Sequence, residues 1–197
     1  MNEKKFLSNI QSYVYGLFHE DPTGHDYHHM KRVALTARRL ATIEGADPFI
    51  AEVSGWLHDI GDAKLFADGE EAKNEMKGFL RELGLPEEMI KLIELAVADV
   101  SFSKGTIPDT MEGKVVQDAD RLDAIGAIGI ARTFAYGGAK NQLLFDEEKS
   151  NTSIQHFYDK LLLLKELMNT ESGKSEAAER HRYMESFLEQ FFREWKT

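Results

Sequence analysis

The chain has 197 residues, a formal net charge of −10 and no cysteine. That length suffices for one sizeable core and is short for two domains, and the lack of cysteine excludes disulfides, zinc–thiolate sites and thiol nucleophiles. The negative balance repels nucleic-acid backbones and anionic membranes, so neither is expected as a partner, and a phosphorylated ligand would need local cations or a bound metal to overcome that field.

The opening MNEKKFLSNIQSYVYGLF has no long apolar core and no small-residue cleavage site, so no signal peptide is expected. The longest run of apolar residues and glycine, AIGAIGIA at 124–131, is too short to span a bilayer, which takes ~20 residues. Together these point to a cytoplasmic protein.

Over residues 28–44, Met30, Val33, Ala34, Ala37, Leu40 and Ala41 keep the three–four spacing of one helix face, in a helix beginning near Asp26. After GADP, Pro48 suits the first turn of a helix carrying Ile50, Val53, Leu57 and Ile60. Residues 70–83 read as a helix ending at Gly84, and residues 86 to about 100 as another. SFSKGTIPDT reads as a loop, followed by helices from Met111 and over 124–136. YGGAKNQLLFDEEKSNTS is a polar loop and a candidate lid. Helices over 154–168 and 175–195 close the chain, the last with Met184, Phe187, Leu188, Phe191 and Trp195 on one face. That face reads as core, and its end offers a surface for a homodimer. KVVQD is the only brief strand candidate. The expected fold is a single all-α domain over residues 1–197.

Three clusters carry chemistry. TGHDYHHMKRV holds His25, Asp26, His28 and His29; GWLHDIGDAK holds His58 and Asp59; QDADRLDAIGA holds Asp118, Asp120 and Asp123. Each has a bland reading: surface histidines at a helix start, a core histidine beside a solvated aspartate, and a helix start with Asp118 as N-cap. An EF-hand fails for the third, because Asp123 stands where that loop needs glycine. Asp59 follows the apolar Val53, Trp56 and Leu57, where a charge is costly unless paired or metal-bound. Taken together, two imidazoles and two carboxylates on separate helices suit a six-coordinate divalent ion, with Mn²⁺ and Fe²⁺ as good candidates and Mg²⁺, Ni²⁺ or Co²⁺ as others.

HDYHHMKRV, WLHDIGD and QDADRLDAIGAIGIAR, in that order, resemble the HD superfamily of metal-dependent phosphohydrolases, all-α helical bundles. The resemblance extends over most of the chain, including ARTFAYGG and HFYDKLLLLKELMNT, and is nearest to the small stand-alone bacterial members. It implies a metal-binding core over roughly 20–135, with C-terminal helices over 154–195 packing on it. It places the ligands at His29, His58, Asp59 and Asp120. His29 is chosen over His28 because the family motif His-Asp-x-x-His-x-x-Arg-Val falls on His25, Asp26, His29, Arg32 and Val33. His25 and Asp26 then line the pocket mouth and His28 faces solvent.

No histidine lies between His58 and His156, which favours one ion, Mn²⁺ first, over the two-ion branches. The Gly-Tyr-Pro signature of the cyclic-dinucleotide branch is absent. The implied chemistry is phosphoester or phosphoanhydride hydrolysis. Asp62 is the first candidate base and Asp123 the second. Lys64 leads the catalytic cations, while Arg32, Lys104 and Arg121 are candidates to hold substrate. Phe102, Phe134 and Tyr136 are candidates to stack on a base. The implied substrate is a small nucleotide, first a (deoxy)nucleoside triphosphate cleaved to monophosphate and pyrophosphate. The alternatives are a nucleoside-monophosphate phosphatase, a guanosine-tetraphosphate-type hydrolase and a non-catalytic metal- or nucleotide-binding sensor.

Overall fold

Phe6, Ile10, Val14 and Phe18 recur at every fourth position and are buried along the inner face of α1 (Glu3–Phe18). The computed structural model describes residues 2–21, 24–100 and 105–196. The chain divides into two compact units, Met1–Ala119 and Asp120–Thr197.

In the first unit, α2 (Tyr27–Glu44) starts on the side chain of Asp26 and stops at Gly45, whose φ of 74° is the left-handed conformation glycine accepts most readily. α3 (Pro48–Leu57) starts on Asp47, with Pro48 in its first turn. Every residue from Phe49 to Leu57 is buried, including Glu52 and Ser54, so α3 is the central rod of this unit. Two features let it pack there. Gly55 lies against α2 so closely that a Cβ would stand 2.6 Å from the Ala34 Cα. Glu52, buried, is paired with Arg38 of α2 at 2.5 Å.

α4 (Gly69–Glu82) buries Ala72, Met76 and Leu80, and α5 (Glu87–Val97) buries Ile90, Ile93 and Ala96. With α1, α2 and α3 they close one core around Trp56, Leu57 and Met30. Each such fully buried side chain contributes about 1.5–3 kcal/mol. Tyr13 of α1 stacks on Phe79 of α4 at 4.2 Å between centroids. α6 (Met111–Asp123) begins in this unit, and its last four residues belong to the second.

The second unit holds α7 (Gly126–Ala139), α8 (Ser153–Asp159), a 3-10 helix (Leu161–Leu167) and α9 (Glu171–Trp195). Phe134, Phe157 and Phe187 pack together, and Phe145 meets Phe191, Phe192 and Trp195 edge-on. The C-terminal end of α6 is held by cations, as a helix dipole favours. Arg180 donates to the Leu122 carbonyl at 2.5 Å and Arg132 pairs with Asp123 at 2.6 Å.

The all-α expectation holds, and among the described residues the only β contact is one isolated bridge between Leu143 and Thr152. Several local expectations are corrected. Residues 154–168 are not one helix: the backbone breaks at Lys160 (φ −140°, ψ −58°), and a 3-10 segment follows α8. KVVQD is not a strand but the middle of α6, and Asp118 lies inside that helix, buried, rather than capping it. Ile60 falls beyond the end of α3. The polar loop is shorter than expected, because α7 continues to Ala139. Its ends are tied by Ser153 and Ile154 amides donating to the Leu143 and Leu144 carbonyls at 2.9 Å. No helix is long and apolar enough to cross a membrane.

Candidate metal centre

His29 stands in the first turn of α2 and is fully buried, while its neighbour His28 is exposed. The turn is fixed by Asp26, whose Oδ1 accepts the His29 amide N–H at 2.7 Å. Asp26, expected at a pocket mouth, is thus the N-cap of the helix that carries His29.

His58 and Asp59 were expected on the body of a helix. They occupy its end: His58 is the C-cap of α3, and Asp59 opens the turn that follows. The His58 Nδ1–H donates to the Gly55 carbonyl at 2.9 Å. With that proton on Nδ1, Nε2 presents its lone pair, the tautomer in which a histidine binds metal. Gly55 thereby does two jobs, since the same residue brings α3 onto α2.

Asp59 gathers the imidazoles. Its Oδ2 lies 2.7 Å from His25 Nδ1 and 3.6 Å from His29 Nε2, and its Oδ1 lies 3.3 Å from His58 Nε2. Burial pushes the Asp59 carboxyl up, but His58, His25 and His29 together outweigh it and hold the carboxyl well below the usual carboxylate range. One ligand atom each from His25, His29 and Asp59 falls within 4.8 Å of the others, and the His29 and His58 rings are 5.3 Å apart. A buried carboxylate beside two imidazole Nε2 atoms, that of His58 with its tautomer set, is a donor set that fits a borderline divalent cation. Asp120 is carried by α6 as the first residue of the second unit and is half-buried.

The loop after Asp59 carries Asp62 and Lys64. Asp62 Oδ1 accepts the Lys64 amide at 2.9 Å, and its carbonyl accepts the Leu65 and Phe66 amides, so Asp62 organises the turn. Gly61, at φ 86°, and Gly69 are pressed together: a Cβ on Gly69 would meet the Gly61 carbonyl at 2.5 Å. The Lys64 side chain is exposed, and Arg32 is half-buried one turn after His29.

The remaining candidates lie elsewhere. Arg121 is buried in the second unit and donates to the Leu167 carbonyl. Asp123 holds Arg132. Phe134 packs with Phe157 and Phe187, and Tyr136 is exposed. Lys104 and Phe102 lie outside the described residues. Sequence reasoning passed over Gly55, Gly69, Arg132 and Arg180. Gly55 had a signal, a glycine within an apolar helix, which often marks a close backbone approach. The partners of the two arginines are backbone and side-chain groups that no pattern exposes.

Residues 26–125, about half of the chain, match the family model of the HD domain. The chain belongs to the HD family. Its class is therefore that of the metal-dependent phosphohydrolases, and a divalent metal site is implied. The Bacillus subtilis protein YpgQ is 39% identical over 194 residues, covering 96% of this chain and 94% of YpgQ. An HD-superfamily hydrolase from Bacillus thuringiensis of known structure is 43% identical, with both chains covered in full and a TM-score of 0.85. The structure of B. subtilis YpgQ in complex with ADP superposes with a TM-score of 0.87 over 98% of this chain and 97% of that one, at 36% identity.

Proposed function

We propose that this HD protein hydrolyses nucleotides, cleaving (deoxy)nucleoside triphosphates to monophosphate and pyrophosphate. The observation that carries the reading is the approach of buried His29 and His58 to the two oxygens of buried Asp59, at 3.6 and 3.3 Å. That a relative has been crystallised with ADP supports a nucleotide as the ligand.

His29, His58 and Asp59 would hold one divalent ion, Mn²⁺ first. When bound, such an ion supplies Lewis acidity toward a phosphoryl oxygen and acidifies water. Asp62, four residues after His58 in the chain, would accept the proton that the attacking water gives up. Lys64 and Arg32 offer positive charge to the phosphates, which a chain of net charge −10 needs at the site. Asp123 is the second candidate base and Arg121 a further candidate cation; Asp123 pairs with Arg132 and Arg121 donates to the Leu167 carbonyl. Water adds at the α-phosphorus as the bond to the bridging oxygen breaks, and pyrophosphate leaves.

Phosphorus NMR tests this directly. The Mn²⁺-loaded protein is incubated with deoxynucleoside triphosphates and, separately, with monophosphates. Pyrophosphate appearing with new monophosphate is the expected result. Inorganic phosphate released from monophosphates would make the protein a nucleotidase instead. No product from either pool would make it a binding module.

A further inference from the structure

The two oxygens of Asp59 have different neighbours. Oδ1 lies 3.3 Å from His58 Nε2. Two donors each about 2.1 Å from an octahedral ion stand about 3 Å apart, so this pair has the spacing of neighbouring ligands. Oδ2 lies 2.7 Å from His25 Nδ1, a charge-assisted hydrogen bond, and 3.6 Å from His29 Nε2, outside hydrogen-bond distance. A carboxylate that holds a divalent cation only accepts, so on that reading the proton of the bond belongs to the imidazole. His25 immediately precedes Asp26, the N-cap of α2, so the turn that sets His29 also sets His25. The His25 ring stands edge-on to His29 at 5.5 Å, which fixes its tilt.

We infer that His25 is a positioning residue for Asp59, neither an ion ligand nor a substrate contact. Its Nδ1–H anchors Oδ2 and thereby turns Oδ1 toward His58 Nε2. The inference rests on the reading of Asp59 as a ligand. It replaces the expectation that His25 acts on substrate at the pocket mouth.

The test uses the full chain and Mn²⁺ alone, titrated by calorimetry, with the nucleotide KM measured separately. Asparagine places an amide N–H near the position of the histidine Nδ1, but it is a poor ligand for a borderline ion. His25→Ala should lose about 10- to 100-fold in Mn²⁺ affinity, the usual cost of removing an outer partner of a ligand. His25→Asn should recover most of it. Asparagine as weak as alanine overturns the inference, because the imidazole would then bind the ion itself. Unchanged Mn²⁺ affinity in His25→Ala with a raised KM also overturns it, returning His25 to the substrate. Failure of the underlying reading has another signature: Asp59→Ala would bind Mn²⁺ as the native chain does.

Discussion

The backbone N–H of His29 donates to the carboxylate of Asp26 at 2.7 Å. The residue that starts the helix therefore also fixes the backbone of an imidazole in the candidate metal centre. Capping and ligand placement are one interaction here, and they should fail together. Asp26→Ala is expected to cost about 1 kcal/mol of stability, the typical loss of an N-cap, and to weaken Mn²⁺ binding as well. Asp26→Asn and Asp26→Ser, which still cap, should retain both. Thermal unfolding and Mn²⁺ calorimetry on the three variants check it; a Ser variant as impaired as Ala would place the carboxylate's charge, not its capping, at the centre of its role.

Gly55→Ala forces a methyl to within 2.6 Å of the Ala34 Cα. Overpacking of this kind costs about 1–3 kcal/mol. It should also spread α2 from α3 and so weaken Mn²⁺ binding. Gly78→Ala is the control: that glycine lies inside α4 with nothing within 4 Å of an added Cβ. It should gain about 0.5–1 kcal/mol from helix propensity. Denaturant melts of both proteins should move in opposite directions.

Glu52 is buried and Arg38 half-exposed. Arg38→Met strands the carboxylate and is expected to cost about 1–3 kcal/mol, at the low end for a buried ion pair because water reaches one partner. Replacing both residues by Met should recover most of the loss. A double variant no better than the single one would show that Arg38 acts through packing.

Gly69→Ala drives a Cβ into the Gly61 carbonyl at 2.5 Å and displaces the loop that carries Asp62 and Lys64. Turnover should fall by up to about 100-fold, the effect of a misplacement of about 1 Å. Mn²⁺ affinity should hold, since His29, His58 and Asp59 all lie outside that contact. Parallel loss of metal affinity would show that the glycine contact supports the whole centre.

Metal removal should lower stability by linkage. Mn²⁺ at 100 times its dissociation constant contributes about 2.7 kcal/mol. Thermal unfolding with chelator and with excess Mn²⁺ reads the difference, which should vanish in Asp59→Ala.

Much of the fold was legible because the apolar residues of α2, α4 and α5 keep the helical period, and because Asp26, Pro48 and Gly84 mark ends by their own chemistry. α1 was passed over although Phe6, Ile10, Val14 and Phe18 announce it, since its segment was weighed only as a leader. The break at Lys160 was not legible, because Leu161 and Leu164 are buried either way, and the choice of a 3-10 turn is made by packing. At the site, residue types marked the clusters and the family resemblance singled out His29, His58 and Asp59, which the fold brings together. What could not be read were hydrogen bonds to backbone carbonyls: His58 to Gly55 and Arg121 to Leu167. Such partners carry no side-chain signature.

Gly55 has a consequence for which ions the chain accepts. The span between the His29 and His58 rings descends from a contact of backbone on backbone, the least compliant kind of contact in a close-packed interior. Flexible carboxylate cages accommodate larger cations by adding oxygens and relaxing outward. Two imidazoles anchored to helices that already touch have no such slack. Selection by ionic radius would then be exercised from a position that has no side chain and lies away from the ion.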